Sequence, residues 1–416
     1  MSTADRAFRW RSVAGAVFLP NLVFSIGQYA VIPVIPALAQ RLGTDLRGAA
    51  LIASMLVVGQ LIGDIPSGAI IARIGERTAM IAAAGLAMIG AVAAVFAPHA
   101  IMLGAAMLVI GVAGAAFGLA RHAFMTSFVP LRFRARALSA LGGSDRLGAV
   151  IGPFAGAGLL TLTGAPHSVL WLLGALCLIA GLLLVVLRDP DEVLGVPRGS
   201  RAGQTEVRTE ANSLWATLAS SRRVLLTLGV GAAILSGLRQ ARQVVLPVWA
   251  ASIGLDEAST SVILGVAGFV DFSLFFLGGW ITDRFGRLWT ILPCAIGIST
   301  GMIALALTHD LGAKQAWFVA IALFIALANG LGSGILMTLG ADLADRRNPA
   351  RFLGAWRFTN DAGGALLPIV VTTVAAIATL PIAVFVLGIL GYGGAITLRI
   401  FVSRHVSLKP GQEPPA

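Results

Sequence analysis

The side chains that could do chemistry in this chain are few, and most stand inside long apolar runs. Arg239 and Arg242 are three residues apart, flanked by Gln240 and Gln243. In a helix that spacing puts both guanidiniums on one face, where their forked N–H groups suit an anionic or carbonyl-rich solute. Gln28 stands 211 residues before Arg239 in an equally apolar run. Gln28, Arg239, Arg242 and Gln243 are therefore the expected solute contacts. Three carboxylates are similarly isolated: Asp271, Asp64 and Asp361. A carboxyl group in that setting can carry a proton, so proton coupling is expected at Asp271, with Asp64 or Asp361 as substitutes. Arg357 precedes Asp361 by four, the spacing of a helical ion pair. Asp145 and Arg146 are adjacent and point about 100° apart on a helix, so each needs a partner elsewhere. A charge at the centre of a spanning helix costs about 2.5–3.5 kcal/mol on insertion scales. Each of these groups is thus either a functional site or half of a compensating structural pair, and the spacing alone leaves both open.

Other chemistries find no residues. Cys177 and Cys294 lie in apolar runs, and the five histidines (His99, His122, His167, His309, His405) have no metal-ligand spacing. No metal or cofactor is expected. The net charge of +11 does not indicate nucleic acid, because the basic residues cluster between apolar stretches without an aromatic-laced stripe.

The elements that must hold these groups are membrane helices. Of 416 residues, 57% are hydrophobic and 12% charged, with a mean hydropathy of +0.89. That is too little charge to cover a water-facing surface, so lipid is the expected solvent. Runs long enough to span fall at 13–38, 47–71, 78–97, 100–127, 137–163, 168–187, 224–251, 258–282, 288–308, 315–340, 351–377 and 380–401. The first follows Arg6, Arg9 and Arg11, but is too long for the apolar core of a signal peptide. A polar stretch at 188–222 reads as a cytoplasmic linker between two six-helix bundles, 1–187 and 223–402, and 403–416 as a cytoplasmic tail. With the N-terminus inside, 22 of the 30 Lys and Arg fall in cytoplasmic segments or the span ends beside them, and three in or beside outer loops. The expectation is an all-α, multi-pass protein of the plasma (inner) membrane, monomeric, with both termini cytoplasmic.

The halves repeat. Pro36 and Gly43 match Pro247 and Gly254 at an offset of 211, as do Gly68, Arg73 and Gly75 with Gly279, Arg284 and Gly286. Arg136, Gly148 and Pro153 match Arg351, Gly363 and Pro368 at 215. Two duplicated six-helix units facing one another enclose a cavity near the bilayer middle.

The loop after the eighth span reads Gly279-Trp-Ile-Thr-Asp283-Arg284-Phe-Gly286-Arg287. This resembles the G-x-x-x-D-R-x-G-R signature of the major facilitator superfamily. Its first-half copy keeps Gly68, Arg73 and Gly75 but has Ala72 in place of the Asp. The resemblance covers nearly the whole chain and implies the twelve-helix major facilitator fold. It also implies a latch in which Gly279 admits a neighbouring helix, Asp283 faces a helix N-terminus of the other half, and Arg284 and Arg287 anchor the interface. Gly148, Gly152, Pro153 and Gly156 resemble the glycine–proline motif of the superfamily's antiporters, with Ala157 replacing the last Gly. That implies an exporter, whereas generic small-residue packing would yield the same stripe. Asp145, Arg146 and Arg357 are expected in the moving interface.

Two departures limit the transfer. Where multidrug antiporters often carry an acid in the first span, this one has Asn21, Gln28 and Tyr29, and the family's fourth-span Arg is missing near Met107. The leading expectation is a proton-linked exporter of a drug-like or metabolite solute, a transporter of the drug:proton antiporter branch. The alternatives are an importer or uniporter of an organic anion, favoured by Arg239 and Arg242, and a membrane sensor or enzyme.

Overall fold

A computed structural model describes residues 17–129, 131–187, 217–332, 334–344 and 349–405. The N-terminal arginines, most of the 188–222 linker and most of the tail lie outside the described residues. In hydrocarbon every backbone N–H and C=O must be satisfied within its own segment, so each apolar run closes its hydrogen bonds as a helix. Among the described residues twelve result: α1 (Leu19–Arg41), α2 (Leu46–Ile74), α3 (Glu76–Val95), α4 (Ala100–Phe128), α5 (Leu131–Thr163), α6 (His167–Val186), α7 (Arg222–Ser252), α8 (Glu257–Phe285), α9 (Leu288–Leu307), α10 (Lys314–Leu343), α11 (Pro349–Ile377) and α12 (Leu380–His405). An even number of spans returns both ends of the chain to one face, here called the terminus side; the opposite face is the far side. Large apolar side chains such as Ile101, Leu162 and Ile377 stay more than four-fifths exposed, as lipid contact requires.

Buried apolar side chains gather in two cores, one drawn almost wholly from α1–α6 and one from α7–α12. The bundles are pseudo-symmetric in detail. Asp45 caps α2 by accepting from the Gly48 N–H, and 211 residues on Asp256 caps α8 by accepting from the Ser259 N–H. Gly75 (φ 83°) ends α2 and Gly286 (φ 97°) ends α8, both in backbone conformations that favour glycine. Each bundle also wedges two helices together on glycine. A Cβ on Gly152 of α5 would lie 2.6 Å from the Ile26 carbonyl oxygen and 2.9 Å from the Ala30 nitrogen of α1. The Gly363 position of α11 meets the Ala233 backbone of α7 in the same way. The bundles touch chiefly along two seams, α5 against α8 and α2 against α11, with α7 also packed against α1 and α2.

On the far side the bundles are also tied by Arg47 of α2, which donates to the Ala376 and Ala378 carbonyls at the end of α11, at 2.9 and 3.3 Å. Ala50, near the far end of α2, is buried in the α7–α12 core, whereas the space between the bundles is lined by Leu138, Gly142, Met337 and Thr338 toward the terminus-side ends of α5 and α10. The molecule is therefore closed on the far side and open on the terminus side.

Candidate functional site

Between the bundles lies a cavity of about 600 Å³, walled by α1, α4, α5, α7, α8 and α10. Its polar residues form two clusters. The first centres on Asp271 of α8, of which only 8% is exposed. Its Oδ1 accepts from Arg146 of α5 at 3.0 Å, across the seam between the bundles. Its Oδ2 accepts from Arg242 of α7 at 3.4 Å and from the Asn329 amide of α10 at 2.7 Å. The Asn329 carbonyl in turn accepts from Arg239 Nε at 2.7 Å. A second Arg239 bond goes to the Gly332 carbonyl at 3.4 Å. That carbonyl sits where the helical run of α10 breaks, between Leu331 and Ile335. Non-helical backbone at membrane depth is tolerated where it lines a cavity, and here the break supplies an acceptor to a buried cation. Arg146 also lies 4.9 Å above the Phe275 ring.

The second cluster belongs to one bundle. Asp145 of α5 accepts from Arg121 of α4 at 2.8 Å and from the Ser25 hydroxyl of α1 at 2.7 Å. Arg121 also donates to Asn21, whose amide donates to Ser144 at 2.7 Å. The adjacent, divergent pair Asp145–Arg146 thus finds its partners in different bundles.

Four guanidiniums (Arg121, Arg146, Arg239, Arg242) and two carboxylates (Asp145, Asp271) line this cavity, a formal excess of two positive charges with His122 counted neutral. Among the described residues no carboxylate lies within ion-pair distance of Arg239.

The structure sorts the residues singled out from sequence. Arg239, Arg242, Gln243 and Asp271 line one cavity with Arg146, Asp145 and Pro153. Gln28 does not. Its amide lies against Gly114 of α4, with Nε2 buried and without a hydrogen-bond partner, and the next residue, Tyr29, faces the cavity instead. One residue is about 100° of helix, enough to turn the expected contact away. Arg121, toward the terminus-side end of α4, points inward onto Asp145. Gln243 donates to Gln240 at 3.0 Å, and Gln240 donates to Gln60 of α2 at 3.4 Å, so this amide chain leads to the other seam. There Arg357 and Asp361 of α11 pair at 3.5 Å, and α11 packs against α2, the helix that carries Asp64. None of these last three lines the cavity.

Among the described residues the latch side chains pair within their own bundle. The Asp283 side chain is 86% exposed and pairs with Arg287 of the next turn at 3.9 Å. Arg287 is held at 2.7 Å by Asp342 of α10, in its own bundle. Arg284 lies over the Trp280 and Phe285 rings. The close helix approach expected at Gly279 occurs one residue earlier, where Gly278 is buried against Leu331. In the first-half copy Gly68 is buried and Arg73 exposed. The chief functional side chain that sequence reasoning missed is Asn329, the one amide in an otherwise apolar stretch of α10.

Comparisons with known proteins agree with this architecture. The family model described as Major Facilitator Superfamily matches residues 17–368. A crystal structure of a D-xylose–proton symporter superposes with a TM-score of 0.74 at 14% identity, covering 93% of this chain and 97% of that one. The xylose transporter XylE from E. coli, in a partially occluded inward-open conformation, gives 0.70 at 15% identity, covering 94% and 99%. A POT family transporter in complex with 5-aminolevulinic acid gives 0.75 at 13% identity, covering 94% and 96%. No curated protein sequence matches significantly. Twelve spanning helices in two bundles, a cavity between them and a family match over most of the length lead to one conclusion: the chain belongs to the major facilitator superfamily and is a transporter, not an enzyme.

Proposed function

We propose that the protein is a proton-linked secondary carrier of a small organic anion, working by alternating access in the plasma membrane. The observation that carries the reading is the surplus of two guanidiniums in the cavity, with Arg239 matched to no carboxylate. A buried cation without a counter-charge is costly, and an incoming anion supplies that charge. Arg239 and Arg242 are the principal contacts, with Gln243 at the rim. The excess of Lys and Arg in the segments flanking both termini supports a cytoplasmic terminus side. On that assignment the state described is inward-open.

The carboxylates divide by charge balance. Among the described residues Asp271 faces two guanidiniums, whereas Asp361 faces one, Arg357, and Asp64 is within ion-pair distance of none. We therefore place the transported proton on Asp64 and Asp361, at the second seam, rather than on Asp271. The glycine–proline stripe of α5 is accounted for by its contact with α1, and it supports neither direction of transport over the other.

The test uses purified protein and a panel of carboxylates, phosphate esters, neutral sugars and organic cations at fixed ionic strength, read as thermal stabilisation. A ligand at about a hundred times its Kd adds about 2.7 kcal/mol, so the shift is measurable. Anions are expected to stabilise and R239Q/R242Q to abolish the effect; stabilisation by cations or sugars alone would overturn the reading. In proteoliposomes an imposed pH gradient should drive anion flux, and D64N or D361N should remove that drive. Unchanged pH-gradient dependence in both variants would rule out the proton assignment.

A further inference from the structure

The cavity's surplus charge is not in one place. Arg146 and Arg242 come from opposite bundles and share one carboxylate, Asp271, which leaves them one positive charge in excess. Arg239 carries the other. The Asn329 side chain stands between the two places, its carbonyl accepting from Arg239 at 2.7 Å and its amide donating to Asp271 at 2.7 Å. Arg239 and the Arg146–Arg242 pair are therefore two distinct cationic points, separated by an amide and a carboxylate. Both points line the same cavity.

We infer that the solute carries two anionic groups held apart, one for Arg239 and one for the Arg146–Arg242 pair. This rests on the anion reading above and narrows it. Charge balance gives the reason. When the bundles close over the cavity, water leaves and uncompensated charge becomes most costly. A monoanion leaves one guanidinium unmatched in the closed state. A molecule with two separated anionic groups matches both, as does no single phosphate group seated at one point. Arg239 is the specificity determinant, because its partners are neutral while the other point retains a carboxylate.

The experiment is titration calorimetry on the purified full-length protein with succinate and glutarate, their monoamides, butyrate and inorganic phosphate at constant ionic strength. At least one dicarboxylate is expected to bind tenfold or more tighter than its monoamide. R239Q is expected to bring that pair to within about threefold by weakening the dicarboxylate alone, and R239K to recover part of the difference. Monoamide and dicarboxylate binding equally to the wild type, or an equal ratio in R239Q, would sink the two-point inference while leaving the anion reading intact. Tighter binding of inorganic phosphate than of any dicarboxylate would also overturn it, in favour of a single-point dianion. No binding by any of these anions would overturn both. The thermal midpoint of unliganded R239Q, expected to stay near that of the wild type because no carboxylate loses its partner, separates lost recognition from lost folding.

Discussion

Replacing Asp271 by Asn tests whether the central cluster is an electrostatic clamp between bundles. The change keeps the side-chain shape and removes one negative charge. Arg146 loses its 3.0 Å partner, Arg242 its 3.4 Å partner, and the cavity's formal excess rises from two charges to three. Breaking a fully buried pair by removing one member costs about 3–5 kcal/mol. Here the arginine side chains are 22% and 16% exposed and water reaches them through the open side, so the expected loss is smaller, about 2–4 kcal/mol. Equilibrium unfolding in mixed micelles measures it. Two companions make the measurement specific. R146Q in the D271N background removes one of the stranded cations, so the double variant should be more stable than D271N alone. Added sulfate should restore D271N more than it helps the wild type, by supplying the missing anion. A D271N protein as stable as wild type, or one that neither R146Q nor sulfate rescues, would refute the clamp.

Three further outcomes follow from the packing and the ends of the helices. Gly152→Ala should destabilise by about 1–3 kcal/mol, because its Cβ would lie 2.6 Å from the Ile26 backbone oxygen and α1 must give way, whereas Gly158→Ala, which meets nothing within 4 Å, should be neutral in the same unfolding assay. Arg47→Ala should shift the population toward closure of the terminus side about two- to fivefold, read as slower thiol labelling of a Gly142→Cys reporter on the open wall; an unchanged rate would remove Arg47 from the far-side closure. Asp256→Ala should cost about 0.5–2 kcal/mol at neutral pH. The Ser259 N–H holds the Asp256 carboxyl below its ordinary value, so that penalty should be full above pH ~4 and fade as the pH falls through the depressed value, a profile that unfolding at pH 7 and pH 3 distinguishes.

The spans were legible because hydropathy reports the solvent, and lipid admits one backbone solution. What hydropathy does not report is where a helix continues after leaving lipid. The α5 run was expected from 137, yet the helix begins at Leu131, since Arg132, Arg134 and Arg136 are good helix formers that end the apolar signal without ending the hydrogen-bond ladder. The converse occurs in α10, where the apolar stretch runs through Gly332 and Gly334 and conceals the break that frees a carbonyl for Arg239. Side-chain direction was the least legible quantity. Repeat alignment put Gln28 and Arg239 at one level, but level is not rotation: Gln28 turns to Gly114 and Arg239 to Asn329. The partners of Asp145 and Arg146 were beyond reach for the same reason, because pairing across helices depends on crossing geometry that a linear pattern does not contain.

The duplication explains why the two seams differ in chemistry while sharing geometry. Asp271 on α8 stands 211 residues after Gln60 on α2, and Arg146 on α5 stands 215 residues before Asp361 on α11. The position that bears Phe275 beneath Arg146 bears Asp64 in the other repeat. At one seam, then, an arginine crosses to a carboxylate and rests on an aromatic ring. At the other, the equivalent positions hold an amide and two carboxylates, of which Asp361 pairs with Arg357. A symmetric pair of seams would bind the same ion twice. On the function proposed above, this difference in charge at equivalent positions sets an anion-attracting cavity apart from a seam suited to a proton, and the Gln243–Gln240–Gln60 chain is a physical connection between them. Coupling between the two sites then needs no contact between solute and proton. It needs only that both seams belong to the same rigid bundles, so that charge matched at one seam changes the cost of closing the other.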